Sequence, residues 1–424
     1  MPTVLDSRAI ADTLSPVTPP PARILFTAFE PSGDRHAAPV IAELRRRFPS
    51  IEIHALGGEA MQNAGATLIE QTTEDAAMLG NAIRKAVWHR RLVRLTHRWL
   101  SEHPVIGHVP VDSPAANWAM CKAVRRRWPN AKVIHLVAPQ LWAWAKWRLP
   151  KLRRATDRVM CLLPFEPDWF ERHRVPAVFV GHPLFDRPIT DHVSLEVVSR
   201  LGGGGRPRIA LLPGSREAEI RANWPTMLEV YRRLAEQHPH LHGVVAAVNA
   251  KGESLVRELS GSDWIASLQT VVGETDSALA WSDLTLAVSG TATLQVAAHH
   301  KPMVVLYNIE KWSWLLVGRH LVDTRTFSLP NLIGESVGLG RVVPEFVPHF
   351  GDADPVFEAV NQLASDPAAR DGQSKVLAKV CDAFAGPRFA EVAADQVTSV
   401  LNLAAHTAAA PAQDTPAESA STAG

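Results

Sequence analysis

The 424 residues include 44 Lys plus Arg against 43 Asp plus Glu, 46% hydrophobic residues and a net charge of +1, the proportions of an ordinary folded chain with room for two or three domains of ~150 residues. They exclude disorder over most of the length and any global positive field able to gather nucleic acid, so an anion site must be local. Cys121, Cys161 and Cys381 are odd in number and widely spaced, which excludes a disulfide framework or zinc site; with no apolar h-region before Pro21 and no apolar run near ~18 residues, the expectation is a cytoplasmic protein without a secretory signal or membrane span.

In chain order, residues 1–22 contain the Pro-rich stretch Thr13 to Ala22 and read as a disordered leader. Buried strands are predicted at Arg23–Phe29, Ile51–Leu56, Val105–Val111, Lys132–Ala138, Arg158–Leu163 and Ala177–Val180, separated by helix-like stretches that include His36–Arg47 and Ala115–Trp128. A second set follows the glycines Gly202 to Gly205: strands Arg208–Pro213, Gly243–Val248, Leu284–Val288 and Met303–Tyr307, with a helix at Ala218–Gln237. This alternation predicts the α/β class, as two doubly wound Rossmann-like halves, 23–186 and 187–385, facing a central cleft. Pro355–Leu403 has helical periodicity; a C-terminal helix over 386–405 is expected to pack back or to be exchanged, and 406–424 is an Ala, Thr, Pro and Ser tail expected to be disordered.

Four strand-to-helix junctions carry candidate chemistry. Phe29-Glu30-Pro31-Ser32-Gly33-Asp34 offers helix N–H groups and a carboxylate, or a tight turn with Asp34 as N-cap. Asp112-Ser113-Pro114 places a carboxylate at a strand's carboxyl end; alternatively Asp112 or Ser113 only caps the following helix. Gly214-Ser215-Arg216 joins a glycine that admits a ligand, a helix start and a guanidinium fork suited to phosphate, without the Lys-Ser/Thr ending of a P-loop. Ser289-Gly290-Thr291-Ala292-Thr293 repeats the design with hydroxyls, and two such seats in one half suggest a diphosphate. Asp352-Ala353-Asp354 has the spacing of a divalent-ion motif, but Asp354 before Pro355 reads better as an N-cap, so no metal is expected. Trp142, Trp144 and Trp147 among Lys146, Arg148, Lys151, Arg153 and Arg154 leave base stacking and a membrane surface open, with a core role the safest reading for the tryptophans.

Through about residues 23 to 400 the chain resembles the lipid-A-disaccharide synthases, glycosyltransferases of the GT-B architecture. The resemblance is carried in order by Glu30-Pro31-Ser32-Gly33-Asp34, Asp112-Ser113-Pro114 with Asn117, Pro139-Gln140-Leu141-Trp142-Ala143-Trp144, Leu163-Pro164-Phe165-Glu166, Gly181-His182-Pro183, Leu212-Pro213-Gly214-Ser215-Arg216 with Glu219, Ser289 to Leu294, and Ser328-Leu329-Pro330-Asn331-Leu332.

It implies metal-independent, cofactor-free transfer, with inversion, of a diacylated glucosamine from UDP to the 6-hydroxyl of a diacylated glucosamine 1-phosphate. Asp112 would be the general base, with Glu30, Ser32, Gly33, Asp34 and Asn117 on the acceptor side. Gly214, Ser215, Arg216, Glu219, Ser289, Gly290, Thr291, Ala292, Thr293, Gln295 and Asn331 would hold UDP. The chain departs from the family pattern at Phe29, Ile83, Ala115, Ala116 and Gln295, which keeps open a diverged enzyme with another UDP-sugar and acceptor, or a non-catalytic binder of UDP or lipid. The implied partners are the two acylated sugars and the inner face of the cytoplasmic membrane, with Trp88, Trp99, Arg84, Lys85, Arg90, Arg91 and Arg94 as docking face; no nucleic acid is implied, and a homodimer stays open.

Overall fold

The computed structural model of the protein describes residues 22–73, 82–203, 205–310 and 324–408. The expected leader up to residue 21, the tail beyond 408 and Leu79-Gly80, which resemble part of a Met-Gly-x-x-Glu segment of the synthases, lie outside them. Thirteen strands are described: β1 (Arg23–Thr27), β2 (Glu52–Gly57), β3 (Thr67–Gln71), β4 (Gly107–Pro110), β5 (Lys132–Leu136), β6 (Arg158–Cys161), β7 (Ala177–Phe179), β8 (Arg208–Leu212), β9 (His242–Ala247), β10 (Leu268–Val272), β11 (Leu284–Val288), β12 (Met303–Asn308) and β13 (Glu345–His349). They form two sheets, in the orders β3-β2-β1-β4-β5-β6-β7 and β10-β9-β8-β11-β12-β13. Pairing is parallel, with Leu25 opposite His54, Phe26 opposite Val109 and Leu211 opposite both Leu286 and Val245.

The second sheet explains why its central strands read as continuous apolar runs. Ile209, Leu211, Val245, Leu286, Val304 and Leu306 join one core, with Trp224 and Tyr231 from the helix Glu217–Gln237 and Phe357 from the helix Ala353–Ser365. Their alternate neighbours Ala210, Leu212, Val244, Ala246, Ala287, Met303 and Val305 join another, with Ala278 and Leu279 from the helix Thr275–Trp281 and Val296 from the helix Ala292–Ala298. With period-two side chains, both faces are covered, and few polar residues remain within the central strands, Thr285 among them.

Among the described residues, one compact unit runs to Pro139 and includes Arg153–Met160 and the residues from Ala390; the other comprises Gln140–Leu152 and Cys161–Phe389. The helix Phe389–Leu401 thus closes on the first unit. Leu401 lies over Gly107, where an added Cβ would come within 2.5 Å of it; Asp395 pairs with Arg47, and Gln396 accepts from Arg158 at 2.7 Å. A further helix, Leu403–Ala408, carries order into the start of the expected tail. Among the described residues no helix is long and apolar enough to cross a membrane.

In each sheet the strand order reverses between two central strands, β1 and β4 in the first and β8 and β11 in the second. The loops leaving their carboxyl ends diverge there, and the resulting crevice is where open α/β sheets bind ligands. Those four strand ends carry the four junctions singled out in the sequence.

Candidate functional site

At the first switch point, β1 leads through Glu30, extended at φ −135°, into the helix Pro31–Arg47. This corrects the expected start at His36 and the expected N-cap at Asp34: Pro31, with its fixed φ and missing N–H, opens the helix. Asp34 lies buried in the first turn and caps a different helix, Glu59–Asn63, accepting from the N–H groups of Gly58 (2.9 Å), Ala60 (3.0 Å) and Met61 (3.1 Å). Its carboxylate is spent internally. Gly33 lets the helix approach β4, since a Cβ there would stand 3.1 Å from Ala28 Cβ and 3.5 Å from the Val111 carbonyl oxygen. Ser32 is half-buried beside it and Glu30 is exposed.

Beyond the end of β4 the backbone turns left-handed. Asp112 and Ser113, consecutive residues with side chains, sit at φ 48° and 32°. Left-handed geometry costs an L-residue roughly 1–2 kcal/mol. Bonds on every side hold it. Asp112 N–H donates to Leu136 O (2.9 Å), Ser113 N–H to Asp112 Oδ1 (2.7 Å), and Asn117 Nδ2 to the carbonyls of Val111 (3.0 Å) and Asp112 (2.9 Å). Ser113 stands at the N-cap position of the helix Pro114–Arg127 but makes no cap bond; its hydroxyl instead donates to Glu30 Oε1 at 3.0 Å. The fold therefore joins Glu30, Asp112 and Ser113. Asn117, fully buried, stands behind them.

At the second switch point β8 ends in Pro213-Gly214-Ser215-Arg216. Gly214 takes φ 111°, and a Cβ there would lie 2.8 Å from Glu219 Cβ. Glu219 turns back on its own helix start. Its Oε2 accepts from the N–H groups of Ser215 (3.0 Å) and Arg216 (3.2 Å), and its Oε1 from Arg216 Nη1 (3.0 Å). An acidic residue thus occupies donors that an anion would otherwise use, while the Arg216 side chain remains 76% exposed. Tyr307, unremarked in the sequence, lies close enough to feel both charges. Burial raises its hydroxyl above the usual tyrosine range, Glu219 adds to this and Arg216 opposes it.

Beside it, β11 ends in Ser289-Gly290-Thr291. Gly290 has φ 159° and room for a ligand at its missing Cβ, Thr291 is exposed, and Thr293 turns inward to donate to Gly290 O at 2.7 Å. Ala292 opens the helix Ala292–Ala298. Gln295 hydrogen-bonds Asp276, which also accepts from His299 Nε2 at 2.8 Å. Burial pushes the Asp276 carboxyl up, but the His299 and Gln295 bonds outweigh it and hold the group below its ordinary value. Asn331 is buried with its amide saturated, Nδ2 donating to Val343 O (3.0 Å) and Glu345 Oε2 (2.9 Å), Oδ1 accepting from Val342 N–H (2.7 Å) and Val343 N–H (2.9 Å).

Other expectations are redistributed. Asp352, not Asp354, caps the helix Ala353–Ser365, accepting from Asp354 N–H at 3.0 Å, and Asp354 pairs with Arg233 at 2.7 Å. Trp88 meets Phe29 edge-on at 6.3 Å and Trp99 lies 5.0 Å from the ring of His54 in β2, so both anchor their helix, Ala82–Glu102, inward while Arg84, Lys85, Arg90, Arg91 and Arg94 are exposed. Trp142 is core, donating to the buried Glu166 at 3.0 Å, but Trp144 and Trp147 are 44% and 60% exposed, against the core role expected for all three. Thr27, His108, Asp276 and Tyr307 gave no sequence signal, because each acquires its partners only across strands or helices.

A family model described as lipid-A-disaccharide synthetase matches residues 24–383. The chain is 32% identical over 375 residues to the lipid-A-disaccharide synthase of Solibacter usitatus, covering 86% of this chain and 93% of that one. To the lipid-A-disaccharide synthase of Anaeromyxobacter dehalogenans it is 33% identical over 386 residues, covering 89% and 97%. Among solved structures, an S. aureus MnaA–UDP co-structure matches with a TM-score of 0.63 at 12% identity, covering 90% of this chain and 97% of that one. A Neisseria meningitidis UDP-GlcNAc 2-epimerase bound to UDP-GlcNAc matches at 0.57 and 11%, covering 90% and 100%, and a glycosyltransferase from Rickettsia africae at 0.54 and 11%, covering 90% and 98%. At such identities the likeness is one of fold, and the fold is that of the GT-B proteins.

Proposed function

The chain belongs to the lipid-A-disaccharide synthetase family, and from that premise we propose that it is an inverting hexosyltransferase. The reaction is transfer of the diacylglucosamine of a UDP-2,3-diacylglucosamine to the 6-hydroxyl of 2,3-diacylglucosamine 1-phosphate, giving the disaccharide 1-phosphate and UDP. The observation that carries the reading is the arrival of the family's motifs at both switch points, a carboxylate turn at one and a glycine-arginine turn at the other. Residues 23–186 serve the acceptor and 187–385 the donor.

In this mechanism Asp112 takes the proton of the acceptor hydroxyl as that oxygen attacks the anomeric carbon from the face opposite UDP. Glu30, tied to Ser113, orients the acceptor. Arg216 and the exposed donors of Gly290 and Thr291 meet the negative charge that grows on the leaving diphosphate. Glu219 prepares this seat: it orders Ser215 and Arg216 before the donor arrives, and Arg216 changes partners when it does. Asn331 has its amide saturated, and Asn117 and Asp34 are buried with their polar atoms bonded within the fold, so their part is to shape the turns that hold the substrates. Acylated substrates require the enzyme to work at a lipid surface, on the cytoplasmic face of the membrane, and the outward cations of the helix Ala82–Glu102 suit anionic headgroups.

Incubation with the two diacylated substrates, read by mass spectrometry, tests the proposal; the expected product is the tetraacyl disaccharide 1-phosphate. Turnover of water-soluble acceptors with equal efficiency would point instead to another enzyme on this fold. UDP binding without turnover would make the protein a binding module, the outcome that Ala115, Ala116 and Gln295 would then explain.

A further inference from the structure

Directly behind the Asp112 turn, the first sheet buries polar groups where parallel sheets ordinarily place Val and Ile. Thr27, at the end of β1, and His108, in β4, are each fully buried, as is Asn117. Thr27 Oγ1 lies 2.5 Å from Asn117 Oδ1 and 2.8 Å from His108 Nε2. The hydrogens can be assigned by elimination. Asn117 Nδ2 faces two carbonyl oxygens and must be the donor there, so its Oδ1 accepts. The single hydroxyl hydrogen of Thr27 goes to that oxygen, which leaves Thr27 Oγ1 to accept from His108. His108 is therefore the neutral tautomer protonated on Nε2; its Nδ1 finds no partner among the described residues. Burial, with the nearby His135 and Arg125, also pushes the His108 imidazole down to about 3, so the charged form does not compete.

We infer that His108, Thr27 and Asn117 are positioning residues, a one-directional chain of donors that ends on the Val111 and Asp112 carbonyls and holds Asp112 and Ser113 in their left-handed conformation. The inference rests on the reading of Asp112 as the general base. Each link points toward the turn, and the last one grips the two carbonyls that flank the Asp112 amide. A chain needed only to fill space would be served as well by apolar side chains, since buried polar groups cost free energy unless they are paired. Without the chain the turn relaxes toward an ordinary N-cap geometry, and the carboxylate moves from the place where it meets the acceptor hydroxyl.

Thr27→Val keeps shape and removes both links, whereas Thr27→Ser keeps them. Thr27→Val is expected to lower kcat about 10- to 100-fold, the scale of a misplaced catalytic group, with KM for both sugars within about threefold of wild type and unchanged calorimetric binding of UDP. Thr27→Ser should stay within about threefold of wild type. In an Asp112→Asn background, Thr27→Val should lower the residual rate no further, because a positioned group that is gone cannot be mispositioned. If Thr27→Val lacks a native near-ultraviolet circular dichroism spectrum, His108→Leu, with His108→Gln as the donor-preserving control, is read by the same criteria. A kcat within threefold of wild type in the Val variant, a loss confined to KM, or an equal further loss in the Asp112→Asn background would each overturn the chain while leaving Asp112 as base. Full activity of Asp112→Asn itself would overturn both.

Discussion

The two switch points solve one geometric problem in opposite ways. Each needs the backbone to turn sharply between a strand and a helix. The second uses glycine, with Gly214 at φ 111° and Gly290 at φ 159°, where no Cβ opposes the turn. The first uses Asp112 and Ser113, whose side chains make the same kind of turn costly, and then surrounds them with Asn117, Leu136 and Glu30. The difference follows from what each turn presents. A seat for phosphate oxygens needs close backbone approach, which glycine allows. A base needs a side chain at the turn itself, so strain is accepted there and held in place by a buried polar chain.

The comparison breaks first at Asp112. Asp112→Asn is expected to lower turnover ~10²- to 10⁴-fold while UDP titrates as in wild type; a rate within a few-fold of wild type would remove the chemical distinction between the two turns. Arg216→Ala should do the converse, weakening UDP about 10- to 100-fold for a lost charge-assisted interaction with little change in thermal midpoint, because the side chain is exposed.

Acidity separates the units next. In the first, burial holds His36 and His135 down to about 4 and His108 to about 3, Arg35 adding to the effect at His36. A depressed pKa contributes stability that is present above the unfolded value of 6.5 and lost as pH falls toward the folded one. In the second, burial raises Glu166 from 4.5 to about 7 against the bonds it accepts from Trp142, Leu163 and Leu162. A raised pKa contributes stability that is present below 4.5 and lost as pH rises through about 7. Hydrogen exchange corrected for intrinsic rate should show protection around His108 growing from pH 4 to 7 while that around Trp142 declines. The same sign in both places would contradict the assignment.

A smaller pair of effects tests the strain directly. Gly214→Ala should destabilise the fold by about 1–2 kcal/mol, because the new Cβ meets Glu219 at a left-handed residue. Ser113→Gly should stabilise it by up to about 1 kcal/mol and yet slow turnover, since the link to Glu30 is lost. Denaturant titrations that moved both variants in one direction would refute the contrast. The smallest effect is expected at Gln295. A glutamate there would set a second carboxylate against Asp276, so Gln295→Glu should weaken UDP a few-fold rather than tighten it, and calorimetric tightening would mean that the side chain swings free of Asp276.

Ten of the thirteen strands were legible from the sequence: nine are largely buried runs whose composition records their burial, and β7, half-buried at an edge, is a short apolar run; β3, β10 and β13 were not. All three are edge strands, half-exposed and carrying residues such as Glu70, Gln269 and Glu345, so neither the apolar run nor clean alternation marks them. The division into two α/β sets and the four strand-to-helix junctions were legible for the same reason, since a glycine, an N1 proline or a carboxylate at a strand end is a local event.

Asn117, Asp34 and Asn331 mark the boundary of that legibility. Their motifs placed them near the chemistry, yet each is buried and bonded from within: by Thr27, 90 residues away in sequence, by Gly58 to Met61, and by Val342 to Glu345. The sequence alone determined which residues stand at the strand ends, because strand, turn and helix are written in neighbouring residues. Which of those side chains remain exposed to a substrate and which are spent holding the turn was decided only by the tertiary structure, because hydrogen-bonding capacity is filled by partners that only folding brings together.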